Sequence, residues 1–408
     1  MDRLLKQSDF WAKLDQDEDG NVLDWHPLAA HSAEVAAVTE ALLKRTILGD
    51  RLAALIGWEE LSPVHVARLS ALAALHDAGK VNHGFQNLAF DGAQPRNGHV
   101  APMVAFLKGS HSPCQEKVAK TLAIEEMFDG GWFADPDTLI GFLGAAWGHH
   151  GEPVKPRSQK FEDDLWKEGA SRSPLRELEK LMHLAKQQWF SDAFEKDARP
   201  FPCEAPIQHA FNGVLTLADW IGSDDEHFFE FADDVEEDPM PEAKKQTCEA
   251  IDELFLDASQ ARALLPAEVG FEHVLPKHEP HCIQETVRDL PVHESGSLTV
   301  LESDTGSGKT EAAVARFFRL FQREDPALVD GMYFAVPTRS AAQQLHGRMK
   351  KIRDQVFEDV PKDDRPPVVQ AVPGYIKADD AEGRTEDDEG TPLPRFEVLW
   401  PDDVPETR

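Results

Sequence analysis

Within the first 225 residues, apolar runs at helical spacing repeatedly break off into histidine or aspartate. "RLSALAALHDAGK" passes from Leu69, Leu72, Ala73 and Leu75 directly to His76 and Asp77. "TLIGFLGAAWGHHG" ends on His149 and His150, and "APIQHAFNGVLTLADWIGSD" reaches Asp219. His31 heads "HSAEVAAVTEALLKR", and His99 leads into "VAPMVAFL". Apolar residues three and four apart mark helices that pack on one another. Polar groups at the ends of such stripes are costly to bury without partners. The chain is therefore constrained to a helical assembly whose core meets a polar centre. That centre holds either satisfied core groups or a metal.

The chain has 408 residues, enough for two or three domains, with hydrophobic content of 41% and charged content of 28%. Its net charge of −32 argues against broad adhesion to nucleic acid through a basic surface. It leaves a nuclease open, because bound cations and a local basic patch can hold phosphate. Basic residues gather between Lys155 and Arg199, either as that patch or as a solvated helical face. No apolar run of membrane-spanning length and no signal-peptide core appears, so the expectation is a cytoplasmic protein with no membrane partner. Cys114, Cys203, Cys248 and Cys282 are scattered without a CxxC pair, which fits reduced thiols.

The pattern changes after residue 225. "DEHFFEFADDVEEDPMPEAKKQ" is acidic and proline-bearing, as a linker would be. Beyond it, "SLTVLES" (297–303) and "GMYFAVPT" (331–338) read as buried strands, each followed by a helical segment. Strand and helix in alternation imply a parallel sheet. The first half reads as all-α and the second as α/β. The last forty residues, rich in Asp, Glu, Pro and Gly, read as loosely structured.

Imidazole and carboxylate donors without thiolate suit Mn²⁺, Fe²⁺, Ni²⁺, Co²⁺ or Zn²⁺. The ordered set His31, His76-Asp77, His99, His149-His150 and Asp219 resembles the HD superfamily of metal-dependent phosphohydrolases. "LHDAGK", "GHH" and "LADWIGSD" look specifically like the HD nuclease domain of the CRISPR-associated nuclease-helicase of type I systems. The resemblance implies two divalent transition-metal ions, Mn, Fe, Ni or Co with Mg as an alternative, that clamp a phosphodiester and activate water. By carry-over, His31, His76, Asp77 and Asp219 form the core metal site and His99, His149 and His150 hold a second ion. Asp77 bridges the two, and Lys80 contacts the scissile phosphate. His111 competes with His99 for its place. His26 and His83 read as structural.

A second constellation lies at "LESDTGSGKT" (301–310), after an expected strand and before a helix, as a phosphate-binding loop requires. Gly306, Ser307 and Gly308 would offer backbone N–H groups to phosphate oxygens. Lys309 would reach the β- and γ-phosphates and Thr310 would bind Mg²⁺ of ATP. Ser303 replaces the first glycine of the strict pattern, a departure that resembles the superfamily 2 helicase form. "AVPTRSAAQQL", with Pro337, Thr338 and Arg339, resembles helicase motif Ia. Gln284 is similar to the adenine-reading glutamine of these motors, and Phe271 is a candidate to stack on the base.

These resemblances give an expected organisation. Residues 1–235 are an all-α HD nuclease domain, 236–265 an acidic linker region, and 266–408 an incomplete RecA-like α/β domain. No Asp-Glu-x-His or Asp-Glu-x-Asp follows the loop, so the expectation is the N-terminal portion of a longer nuclease-helicase, without unwinding activity of its own. The expected substrate is single-stranded DNA, the displaced strand of an R-loop, and the expected partner is the RNA-guided type I surveillance complex. The alternatives are an HD-superfamily nucleotide phosphohydrolase and a non-catalytic regulatory fragment.

Overall fold

In the computed structural model the described residues are 5–17, 20–107, 112–149, 161–169, 171–231, 237–293, 296–323, 327–372, 375–378 and 381–384. The chain divides between Ile251 and Asp252 into two compact units. No described helix is long and apolar enough to cross a membrane.

The first unit is built around the helix Leu28–Arg45. Every residue from Leu28 to Thr39 is buried, including His31, Ser32 and Glu34. Small alanines on this helix allow close approach by Pro63–Ala74 and Ala205–Ile221, which pack against it. Each fully buried large aliphatic or aromatic side chain contributes about 1.5–3 kcal/mol. Trp132, Trp147, Trp166, Phe142, Phe201 and Phe211 are such residues here. Lys44 and Arg45 in the last turn complement the helix dipole.

The helix starts are encoded locally. Ser62 caps Pro63–Ala74, its hydroxyl accepting from the His65 N–H while the His65 ring accepts from the Ser62 N–H. Asp135 caps Pro136–Trp147 by accepting from Thr138 N–H at 2.8 Å. Proline occupies the first turn of both helices and of Ala205–Ile221.

The first half is not purely helical. Trp11–Gln16 and Val22–Pro27 form an antiparallel hairpin. Strands of six residues are too short to give a clear period-two signal, and "WAKLDQ" and "VLDWHP" do not alternate cleanly. Tertiary contacts supply what the pattern lacks. Trp11, Trp25 and Phe85 form an apolar cluster, and the Trp11 and Phe85 rings stack at 4.3 Å. Gln86 stitches the hairpin to the His76-Asp77 region. Its Oε1 accepts from Trp11 N–H at 3.1 Å, and its Nε2 donates to the carbonyls of Trp11 and Lys80, both at 2.9 Å.

In the second unit, Lys309–Phe321 and Arg339–Val356 share an apolar core with Val269, Val274 and Val360. Thr338 caps the second of these helices, accepting from Ala341 N–H at 3.2 Å. The expected parallel sheet is not formed among the described residues. Neither 297–303 nor 331–338 enters a ladder. A buried parallel strand takes its backbone partners from strands on either side. Among the described residues these segments have no such neighbours, and Leu298 and Tyr333 stand 92% and 90% exposed. The sheet present is instead antiparallel, with Val369–Val372, Tyr375–Ala378 and Ala381–Arg384 in sequential order. It occupies part of the tail expected to be loose; 385–408 lies outside the described residues. The region 236–265 carries the helices Met240–Glu253 and Ala258–Ala263.

Candidate metal centre

Helix ends deliver His76 and His149. Pro63–Ala74 stops before the His-Asp pair, and the chain then tightens into three-residue turns. Leu75 N–H donates to Leu72 O, His76 to Ala73, Ala78 to Leu75 and Lys80 to Asp77, at 2.8–3.1 Å. His76 and Asp77 therefore sit on a turn and not on the regular helix their apolar lead-in suggests. Buried side chains pin this turn, and the Trp147 indole donates to Leu75 O at 3.1 Å. His149 follows the helix Pro136–Trp147 in the same manner. Asn212 donates to the carbonyls of Ala145 and Gly148, at 2.7 and 3.1 Å, and Thr216 Oγ1 donates to His149 O at 2.8 Å. Asn212 and Thr216 share the helix Ala205–Ile221 with Asp219, so one helix fixes two parts of the centre.

The side chains converge on Asp77, itself 1% exposed. Its Oδ2 lies 3.4 Å from His31 Nε2 and 3.3 Å from His76 Nε2. Its Oδ1 lies 3.3 Å from His99 Nε2 and 3.7 Å from His149 Nε2. Asp219 closes the cluster from the far end of the sequence. Its Oδ1 is 3.3 Å from His31 and 3.7 Å from His76, and its Oδ2 is 3.9 Å from His149. Gly79 makes room for His99, because a Cβ there would lie 2.2 Å from His99 O and 2.8 Å from Met103 Cγ. Thus His31, His76, Asp77, His99, His149 and Asp219 meet, while His150 and His111 lie outside the described residues.

Lys80 enters the centre directly. Its Nζ is 2.6 Å from Asp77 Oδ2 and donates to Ala12 O of the hairpin at 3.1 Å. Spacing did not single out Glu34, Lys13, Asn212 or Thr216. Glu34 lies one turn after His31, and "HSAE" was the available signal. Both its oxygens are 2.9 Å from His26 Nε2. Lys13 Nζ donates to Gly222 O at 3.1 Å. His83 bonds elsewhere, its Nε2 donating to Lys167 O at 2.8 Å.

The electrostatics follow from this crowding. Burial opposes ionisation of Asp77, but Lys80 and His76 outweigh it and hold the carboxyl well below the usual range. Burial likewise opposes ionisation of Asp219, and hydrogen bonding to His31 and His76 overcomes it, depressing that carboxyl too. Burial works against charge on His76, yet Asp77 and Asp219 raise it to about 9. His31 is raised against its burial by Asp219, Asp77 and Glu34. Glu34 falls to about 2, with burial overcome by His26 and His31. The cluster is thus built for anionic carboxylates facing positive charge.

The donor set suits divalent ions. His76 Nε2 and Asp77 Oδ1 are buried without a hydrogen-bond partner. Donor atoms of His31, His76 and Asp219 lie within 4.8 Å of one another, as do those of His76, Asp77 and His149. Nitrogen and carboxylate oxygen, without sulfur, favour first-row transition metals.

The phosphate-loop residues lie in the second unit. Gly306 and Gly308 adopt left-handed φ of +84° and +83°, which glycine alone takes without strain, and the helix begins at Lys309. Lys309 Nζ donates to Ser303 O at 2.7 Å and Asp304 O at 2.8 Å. Gln284 bridges to the loop, accepting from His281 N–H at 2.7 Å and donating to Gly308 O at 3.1 Å. Phe271, expected to stack on a base, is instead buried with the Arg288 guanidinium 5.1 Å from its ring centre.

Apart from these centres, a groove of about 720 Å³ in the first unit is flanked by Lys117, Lys120, Lys167, Arg176 and Lys186. Three of these cations are already ion-paired, Lys167 with Asp164, Arg176 with Glu168 and Lys186 with Glu126. No residue of the His-Asp cluster lines this groove.

Comparison with known proteins agrees with this geometry. The family model "Cas3, HD domain" matches residues 11–228. The CRISPR-associated endonuclease/helicase Cas3 of Thermus thermophilus is 29% identical over 361 residues, which covers 85% of this chain and 36% of that protein. The Escherichia coli protein of the same description is 27% identical over 380 residues, covering 85% and 40%. The chain thus spans well under half the length of these relatives. Among solved structures, a CRISPR-associated protein gives a TM-score of 0.63 at 22% identity, over 86% of this chain and 38% of that one. A chain of a pre-nicking CRISPR RNA-guided surveillance complex gives 0.51 at 21% identity, over 84% and 38%. With the matched segment holding all six converging side chains, this chain belongs to the Cas3 HD-domain family.

Proposed function

We propose that the His-Asp cluster is a two-metal nuclease centre that cuts the phosphodiester backbone of single-stranded DNA. The observation that carries this reading is the split of Asp77, with one oxygen toward His31 and His76 and the other toward His99 and His149. His31, His76, Asp77 and Asp219 hold one ion; Asp77, His99 and His149, with His150, hold the other. Bound there, Mn, Fe, Ni or Co, or Mg in their place, would supply charge to phosphoryl oxygens and lower the pKa of water. The protein's own part is to pre-position donors in a dry pocket, so that little reorganisation accompanies reaction. Lys80 holds a cation beside Asp77, and we assign it to the scissile phosphate.

The second unit is assigned to an ATP-driven helicase. Gly306, Ser307, Gly308, Lys309 and Thr310 would take the phosphates and Mg²⁺, and Gln284 would sit at the nucleotide's edge. Two left-handed glycines feeding a helix N-terminus support that assignment. We place the protein in the cytoplasm, acting on the strand displaced by an RNA-guided type I surveillance complex; a chain of an RNA-guided surveillance complex is among the structures it resembles. The nuclease domain is placed at 1–235, the linker at 236–265 and the RecA-like part at 266–408.

The test compares cleavage of circular single-stranded DNA with phosphate release from nucleotides, each with and without added Mn²⁺, Ni²⁺ or Co²⁺. Metal-dependent opening of the circle, abolished by a chelator, is expected. Nucleotide hydrolysis without DNA cleavage would favour a nucleotide phosphohydrolase.

A further inference from the structure

The histidines of the inner cluster are aimed in two different ways. His76 and His149 each follow a helix, where late carbonyls lack helical partners. Each ring uses one, His76 Nδ1 donating to Ala73 O at 2.8 Å and His149 Nδ1 to Ala146 O at 3.0 Å. Both rings thereby present Nε2 to the carboxylates. His31 lies inside the helix Leu28–Arg45, where the preceding carbonyls serve the helix itself. Its Nδ1 is buried without a hydrogen-bond partner and lies 3.7 Å from Glu34 Oε2, one turn further on. Glu34 is in turn clasped by His26, which the Val22–Pro27 strand delivers and which stacks on Phe231 at 5.3 Å.

We propose that Glu34 is a positioning residue for metal binding: it fixes His31 with Nδ1–H toward its own carboxylate and Nε2 toward the ion, and His26 holds Glu34 in place. A carboxylate behind a ligating imidazole sets the ring's tautomer and strengthens it as a donor. The hairpin thus acquires a role in the centre beyond packing. This inference rests on the metal-site reading above.

The test uses the full chain and Ni²⁺ alone, with affinity measured by chelator competition and folding by circular dichroism. Glu34→Gln keeps the shape and removes the charge, and is expected to weaken Ni²⁺ binding about 10–100-fold. His26→Asn leaves the carboxylate but removes its anchor, and is expected to weaken binding in the same direction. Glu34→Asp should recover part of the loss. Folded Glu34→Gln and His26→Asn proteins with wild-type affinity would overturn the proposal and leave the metal site standing. Failure of the wild-type chain to bind Ni²⁺ would overturn the metal-site reading itself. Imidazole nitrogen spectra of zinc-loaded wild-type protein give a check that needs no variant. A proton on His31 Nδ1 supports the arrangement, and a proton on Nε2 refutes it.

Discussion

Replacing Asp77 with asparagine keeps the side chain's shape and removes its charge. Five groups face that carboxylate: His31, His76, His99, His149 and Lys80. Two consequences can be sized separately. Breaking one side of a buried ion pair costs about 3–5 kcal/mol. Lys80 keeps its bond to Ala12 O, so the low end, about 3 kcal/mol, is expected for stability. The effect on reaction is larger. Loss of a group that merely supports a ligand costs about 10–100-fold. Asp77 faces both halves of the centre directly, so that factor applied to each half sets a floor of about 10²–10⁴, or about 2.7–5.4 kcal/mol of barrier. Initial rates on circular single-stranded DNA, metal content after dialysis and a thermal melt separate the two effects. A folded Asp77→Asn protein with wild-type metal content and wild-type cleavage would refute the assignment of this carboxylate as the shared ligand.

Gly79→Ala would drive a Cβ into His99 O and Met103. A displacement of about 1 Å at a ligand is expected to cost about 10²-fold in cleavage, read against metal content in the same samples. Arg68 is fully buried, lies 5.5 Å from the Trp132 ring and donates to the carbonyls of Gly130, Gly131, Ala193 and Lys196. Arg68→Leu strands those carbonyls and is expected to lower stability by about 3–5 kcal/mol, or Tm by roughly 10 °C, in a calorimetric scan. Glu40 is opposed by burial but depressed by Lys44 at 2.5 Å and Lys244 at 3.1 Å. A depressed carboxyl stabilises the fold above its ordinary value of 4.5 and loses that contribution as pH falls through the folded value. The Tm advantage of wild type over Glu40→Gln should therefore be present at pH 7 and fade below about pH 4.

Much of the His-Asp cluster could be read from the sequence because each of its members interrupts an apolar stripe. A histidine at the end of "ALAAL" or "FLGAAW" has few innocent explanations once several recur in order. What lies behind the ligands was harder to read. Glu34 occupies an ordinary helical position, and only the fold reveals that its carboxylate is walled in by two histidines. The hairpin escaped notice because its strands are short and are stabilised by Gln86, 75 residues away. The second unit misled in the opposite sense. Apolar runs flanked by turn residues signal strands only when neighbouring strands supply the ladder. For 297–303 and 331–338 the described chain supplies none, while the helices beside them form as their patterns require.

The stitching of the first strand to the loop after Asp77 has a practical consequence. Ala12 holds the Lys80 ammonium beside the Asp77 carboxylate, and Trp11 shares Gln86 with the same loop. The strand Trp11–Gln16 is therefore a wall of the His-Asp cluster. Trimming past residue 11, or fusing a bulky tag close to it, is expected to shift Lys80 against Asp77 even though no residue of the cluster is removed.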